Sequence, residues 1–343
     1  MKKRIAILFG GCSSEYKVSL VSAAEVIKNT DREKYSLLMV GITCGGDFYL
    51  YEGEENNIEN DTWFQKGKVR KITFSVNRSD HGFYLLDTCE LVKIDLAFPV
   101  LHGQNGEDGR VQGLLELAGI PCAGCDMISS AVCMDKYLAH TIAEAKGLSV
   151  PKGLLFQKKD KYEYIEKKVG QLKYPLFVKP LKAGSSIGVA KIYDSGGLQA
   201  ALNEAFYYDD KVIIEENIEG FEVGCAILGN TVGEVDEIEI NTENGFFDYY
   251  EKYHLKTGKI HLPARLSENE RLKIKDFAQR IYKILGCTGF ARVDMFYTPD
   301  EKIIFNEVNT IPGFTEHSRF PAMLRAAGIS FKEIIGKAVD EVK

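Results

Sequence analysis

Apolar positions along the chain fall into short runs separated by glycine turns and amphipathic stretches. RIAILFGG, Arg4 to Gly11, is a buried-strand run ending in a glycine turn. Val18 to Ile27 (VSLVSAAEVI) follows with helical spacing, and Ser19 stands near its start, where a hydroxyl can cap free N–H groups. YSLLMVGIT and DLAFPVLHG read as two further strands, with VQGLLELAGI a helix after the second. Strands alternating with helices predict an open parallel sheet. Ser75 to Val92 is a weaker pattern with polar breaks, read as a hairpin or insertion.

MDKYLAHTIAEAKGLSVP, from Met134, is an amphipathic helix ended by Gly147 and Pro151. From there the texture changes. PLFVKP, GVAKIY and KVIIEENI are short β-rich runs, with one helix, GLQAALNEAFYY, among them. A last unit carries strands at EVGCAILG, DEIEI, GFARVDMFYT and KIIFNEV, with helices near 269–285 and 331–342. The expected domains are therefore 1–125, 126–215 and 216–343.

Bulk numbers narrow the class. A length of 343 residues allows two or three domains, and 45% apolar with 27% charged residues is ordinary for a globular chain. The net charge of −6 disfavours nucleic acid as a partner. The opening apolar run, Ile5 to Phe9, is too short for a signal-peptide core, and no run approaches a membrane span, so a cytoplasmic protein without a membrane partner is expected. Among the eight cysteines, Cys122 and Cys125 have metal-like spacing with Cys133 nearby, but no second pair completes a zinc set. Small buried thiols are the expected reading.

Chemistry concentrates in five places. In the hairpin GFARVDMFYT-PDEK-IIFNEVNT, strand alternation puts Arg292 with Asp294 on one face and Glu307 with Asn309 on one face. A turn at Pro299-Asp300 would set Asp294 opposite Glu307. That patch is either a surface charge ladder or an oxygen-ligand site for a hard ion such as Mg²⁺. In PLFVKPLKAGSSIGVAKI, Lys179 ends an apolar strand before a small polar loop with Ser185 and Ser186, which is either a phosphate cradle or an ordinary glycine hairpin. VIIEENIEGFEVG sets Glu215, Glu216 and Glu222 around a strand: a solvated acidic edge or a nucleoside contact. His102 opens the glycine-rich HGQNGEDG, and Glu15 follows the first strand; both stand where open α/β sheets bind ligands. FNEVNTIPGFTEHSRFP, Phe305 to Pro321, is either a solvated hairpin end or one wall of a charged site.

Taken together, GGCSSEYKVS, LHGQNGEDG, MDK, VKPLKAGSSIG, IIEENIEGFEVG, FFDYYEKY, GFARVDMF and NEVNTIPGFTEHS resemble the D-alanine–D-alanine ligase family over nearly the whole chain, in the family's order. The resemblance implies an N-terminal open parallel α/β domain followed by a two-subdomain ATP-grasp fold of α+β type. It implies ATP as cosubstrate and two Mg²⁺ ions, with Mn²⁺ an alternative. Glu15 would hold the ammonium of a first D-alanine, with His102 near its carboxylate. Lys136 and Lys179 would meet ATP phosphates under the loop of Ser185 and Ser186. Glu215, Glu216, Ile218 and Glu222 would line the adenosine pocket, although the family often has Lys where this chain has Glu216. Asp294, Glu307 and Asn309 would bind the metal ions. Lys252 and Tyr253 would form a lid, locked by a Glu15–Ser185–Tyr253 triad. Arg292 and the Gly313 N–H would stabilise an oxyanion. A homodimer is expected by analogy.

Arg319 stands after Ser318 where the family commonly has Leu after the second Ser, as in Ser-His-Ser-Leu, and Ser318-Arg319-Phe320-Pro321 resembles the ligases of vancomycin-resistance clusters. The lactate makers among them carry a histidine lid; this chain keeps Tyr253 and its FDYYEKY context. D-serine is therefore the expected acceptor, as in the VanG type, with Ser318 and Arg319 beside it. A housekeeping D-alanine–D-alanine ligase and a silent nucleotide-binding module are the alternatives.

Overall fold

A computed structural model describes residues 2–182, 187–240 and 258–342. The chain builds three sheets in succession. The first has seven strands: β1 (Lys3–Gly10), β2 (Tyr35–Ile42), β3 (Phe48–Glu52), β4 (Lys68–Phe74), β5 (Gly82–Leu85), β6 (Glu90–Lys93) and β7 (Leu96–Pro99). Their spatial order is β6-β5-β4-β3-β2-β1-β7. Helix α1 (Tyr16–Asn29) links β1 to β2, and these run parallel, as do β1 and β7. From β3 to β6 the pairing is antiparallel. The expected parallel sheet thus forms only at β2-β1-β7, with α1 giving the chain length to cross from β1 to β2. Five residues separate β2 from β3, enough for a turn and too few for a crossover. Helices α2 (Glu55–Glu59), α3 (Trp63–Lys66) and α4 (Arg110–Leu117) complete this part.

Ser19 does not cap α1. It is fully buried, accepts from the Gly10 N–H at 2.8 Å and donates to the Val100 carbonyl, tying the helix to two strand ends.

The second sheet, ordered β10-β9-β11-β8, joins β8 (Gly153–Gln157), β9 (Leu176–Pro180), β10 (Ala190–Ile192) and β11 (Lys211–Glu216). Before it come α5 (Met127–Met134) and α6 (Lys136–Ala145), capped by Asp126 and Asp135; α7 (Tyr162–Val169) and α8 (Leu198–Tyr208) supply its core with Ile165 and Leu202.

The third sheet runs β14-β13-β12-β15-β16: β12 (Phe221–Leu228), β13 (Thr231–Ile240), β14 (Gly258–His261), β15 (Phe290–Tyr297) and β16 (Ile303–Asn309). Helix α9 (Glu268–Ile284) buries Ile274, Phe277 and Ile281 with Val223, Val293 and Met295 on one face. On the other face sit α10 (Arg319–Ala326) and α11 (Phe331–Asp340), whose Phe320, Met323 and Ile334 share a core with Phe98 of β7. Arg319 is the first residue of α10, so the Phe305–Pro321 stretch ends in a helix. Pro321 is no obstacle there, because first-turn N–H groups need no helical acceptor.

In the β15–β16 hairpin Arg292 opposes Asn309 and Asp294 opposes Glu307, the expected pairing. The register then shifts, so that Met295 opposes Phe305 and Asn306 is left out of the pairing. Strict alternation would place Phe305 beside Glu307. The bulge returns it to the buried face, where it is fully covered.

Candidate active site

Four neighbouring strands bring Asp236 (β13), Gly224 (β12), Asp294 (β15) and Glu307 (β16) side by side. Three carboxylates in a row repel one another unless cations stand between them. The structure supplies three. Arg292 grips Asp294 through Nε at 2.8 Å and Nη2 at 2.6 Å. Lys136, the first residue of α6, lies 3.0 Å from Glu307. Arg319 forks onto Asp236 at 2.7 and 2.9 Å, donates to Glu222 at 2.9 Å and comes within 3.5 Å of Asp294. Burial would weaken the protonated forms of Arg319 and Lys136, but the facing acids more than offset it and hold both pKa values up. Asn309 donates to Asp294 at 2.8 Å. Gly224 makes room: a Cβ there would run into the Arg319 guanidinium and the Asp236 carboxylate.

The inner face of the second sheet carries the next group. Lys179 on β9 donates to Glu215 on β11 at 2.7 Å. Glu215 is 1% exposed. Burial pushes its carboxyl up, yet Lys179 and His140 outweigh that and hold it at about 2. Its two carboxylate oxygens are approached from within the protein, one by Lys179 and the other by the His140 ring. Lys191 lies over the Phe177 ring at 5.4 Å, adding a cation beside Lys179. Glu216 turns away, accepting from the Lys173 N–H at 3.1 Å, and Ile218 is half-buried. Glu222, expected at the adenosine, has one oxygen committed to Arg319.

At the carboxyl end of the first sheet, Glu15 is buried against Gly103. Gly103 has φ +72°, and a Cβ there would strike the Glu15 carboxylate and the Ser13 hydroxyl. His102 donates from Nδ1 to the Ile311 carbonyl at 2.9 Å, which leaves Nε2 to accept from Ser22 Oγ at 3.2 Å. Burial lowers its pKa, so the ring is neutral. Glu107 accepts from the Gly103 N–H at 2.8 Å and the Ile311 N–H at 3.3 Å; burial, then the charge of Glu15, pushes its carboxyl up to about 8. Ser318 Oγ meets the Thr315 N–H at 3.1 Å and hydroxyl at 2.7 Å, packed close under Gly313. The first sheet and the 311–318 stretch are therefore stitched into one wall.

Ser185, Ser186, Lys252 and Tyr253 lie outside the described residues. Of the other expected site residues, Glu216 turns away, and those that hydrogen bonds and ion pairs place lie along this wall and the two sheet faces. Four participants carried no expectation. Asp236 is one of several alternating acids in GEVDEIEI, and only the register with Gly224 selects it. Glu107 lay inside a glycine-rich loop already singled out. His140 follows Lys136 by four residues, hence on the same helix face, which was the available signal. Gly224 had none.

Asp294, Glu307 and Asn309 offer only oxygen among their acceptors, the donor set of a hard divalent ion. Among the described residues no three His, Cys, Asp or Glu side chains gather as a metal cage, so this set supplies part of a shell. The buried-thiol reading holds for Cys125, Cys133, Cys225 and Cys287, with Cys133 and Cys287 3.7 Å apart as free thiols, but Cys12, Cys44 and Cys89 are exposed. Among the described residues no helix is long and apolar enough to cross a membrane.

Comparison with known proteins locates this arrangement. The family model "D-ala D-ala ligase N-terminus" matches residues 4–125 and "D-ala D-ala ligase C-terminus" residues 142–340. The crystal structure of VanG D-Ala:D-Ser ligase from Enterococcus faecalis superposes with a TM-score of 0.92 at 50% identity, covering 99% of each chain. Vancomycin C-type resistance protein VanC1 of Enterococcus gallinarum is 44% identical, covering 98% of this chain and 97% of its own. D-alanine–D-alanine ligase of Caldicellulosiruptor bescii is 40% identical, covering 98% and 94%. With both halves matched and similarity end to end, the chain belongs to the D-alanine–D-alanine ligase family.

Proposed function

We propose that the chain is an ATP-dependent ligase joining D-alanine to D-serine through a D-alanyl phosphate, for peptidoglycan precursors of the vancomycin-resistant kind. Domains 1–125, 126–215 and 216–343 would hold the first amino acid, the ATP phosphates, and the metal and acceptor sites. Glu15 takes the ammonium of the first D-alanine. His102 acts from behind, because both its ring nitrogens already hold protein groups. Bringing a carboxylate to a triphosphate is like-charge work, which Lys136 and Lys179 ease. Asp294, Glu307 and Asn309 would hold Mg²⁺, which supplies further neutralisation of phosphate charge when bound. Arg292 and the Gly313 N–H then stabilise the tetrahedral oxyanion formed by the acceptor amine. Ser185, Ser186, Lys252 and Tyr253 would close over the water-sensitive intermediate.

The observation that carries the acceptor assignment is the Arg319 guanidinium fixed beside Asp294. A guanidinium has five N–H donors. Asp236 and Glu222 take three of them in hydrogen bonds, and Nη2 also pairs with Asp294 at 3.5 Å, which leaves one N–H on Nη1 for a hydroxyl. A leucine at this position offers no donor. The VanG ligase at 50% identity supports the same reading. The D-alanine acceptor is the second reading, favoured by the 40% identical D-alanine–D-alanine ligase. The paired Arg292, Asp294 and Lys136 speak against a silent module. Arg319→Lys tests the assignment: it keeps a cation and loses the fork. D-serine use should fall about tenfold relative to D-alanine, the worth of one charge-assisted hydrogen bond. An unchanged acceptor ratio removes Arg319 from the acceptor pocket.

A further inference from the structure

His140 takes no part in the scheme above, yet it is 5% exposed, and each of its ring nitrogens lies close to a protein oxygen. It lies on α6 one turn after Lys136. Its Nε2 stands 2.6 Å from the Asn306 carbonyl oxygen. Asn306 is the residue the bulge leaves out of the β15–β16 pairing, one position before Glu307. Its Nδ1 lies 3.1 Å from Glu215 Oε1, the oxygen Lys179 does not take. The ring packs edge-on against Phe305 at 5.3 Å. One face of α6 thus braces two strands in different sheets: Lys136 on Glu307, His140 on Glu215.

We propose that His140 is a positioning residue for ATP, fixing Glu215, and through it Lys179, against the bulge of the strand that carries Glu307. This rests on Lys179 as a phosphate contact. The geometry explains why a brace is needed. Lys179 and Glu215 stand on adjacent antiparallel strands, with Ile213 opposite Lys179 and Phe177 opposite Glu215. The pair therefore meets on a diagonal, and a carboxylate held by one lysine can swing. A second contact on Oε1 removes that freedom. Tying the same ring to the bulge sets the distance between the phosphate lysine and Glu307, two groups that must meet one triphosphate.

The test uses the whole enzyme in steady-state kinetics, varying ATP and each amino acid separately. His140→Phe keeps the ring and its contact with Phe305 and loses both nitrogens. The KM for ATP should rise about tenfold, with kcat and both amino acid KM values within about twofold. His140→Asn places its amide near Nδ1 and should keep most of the ATP affinity. His140→Gln reaches only the Nε2 position and should not. Combined with Glu215→Gln, the effect of His140→Phe on the ATP KM should shrink, because the two residues act as one. If His140→Phe folds and leaves the ATP KM unchanged, or raises all three KM values alike, the positioning role is wrong. If Asn and Gln behave the same, it is equally wrong. Lys179→Met separates the premises: if it too leaves the ATP KM unchanged, the phosphate reading itself falls.

Discussion

Removing the Arg319 guanidinium would take its hydrogen bonds from the buried Asp236 and the half-buried Glu222 and a facing cation from the buried Asp294. Breaking a buried pair by deleting one partner costs about 3–5 kcal/mol. Arg319→Leu should therefore lower stability by that order in denaturant unfolding, beyond any change in acceptor use; a loss below about 1 kcal/mol would mean the network is solvated. Glu107 gives a pH signature. Its carboxyl is raised from 4.5 to about 8 in the folded state, so the unfolded chain ionises first. Its stability contribution is complete below the unfolded value and is lost as pH rises through the window to about 8. Glu107→Gln should flatten the fall of Tm between about pH 5 and pH 8; an unchanged slope would place the titration elsewhere. What strand alternation reaches was legible at this scale: Arg292 with Asp294 and Glu307 with Asn309 follow from a period of two and a short turn. Asp236 and His140 were not, because their partners lie 83 residues away at Arg319 and 75 residues away at Glu215.

Helix α9 shows how local signals end an element. Ser267 accepts from the Glu270 N–H while the Glu270 carboxylate returns to the Ser267 N–H, a reciprocal cap. Ser267→Ala should cost about 1 kcal/mol in thermal unfolding. All KM values should stay unchanged, because α9 covers the face of the sheet away from the site; a KM change would contradict that separation. This helix, β12, β15 and β16 were readable within a residue or two, since each carries a strong apolar period. Helix α10 was not, since Ser318, Arg319 and Pro321 break the pattern at its start. The mixed order of the first sheet was also hidden, because alternating runs do not state which strands have a crossover between them.

At the scale of the molecule, one aromatic seam joins the ends of the chain. Phe98 of β7 stacks on Phe290 of β15 at 5.7 Å, and Phe314 meets Phe98, Phe290 and Phe320 at 5.7, 5.0 and 5.2 Å. Phe314 is fully buried one residue after Gly313, so packing between distant sheets sets where the Gly313 N–H, the proposed oxyanion donor, stands. Phe314→Ala should cost about 3–5 kcal/mol and lower kcat more than it raises the ATP KM. A stability loss with kcat intact would detach the seam from catalysis. The order of sheets along the chain was legible from its texture; this seam was not, because Phe98, Phe290 and Phe314 each read only as local strand or turn filling. Purified enzyme given ATP, Mg²⁺, D-alanine and equal D-serine, its dipeptides separated by mass, should yield chiefly D-alanyl-D-serine. D-alanyl-D-alanine as the main product would contradict it.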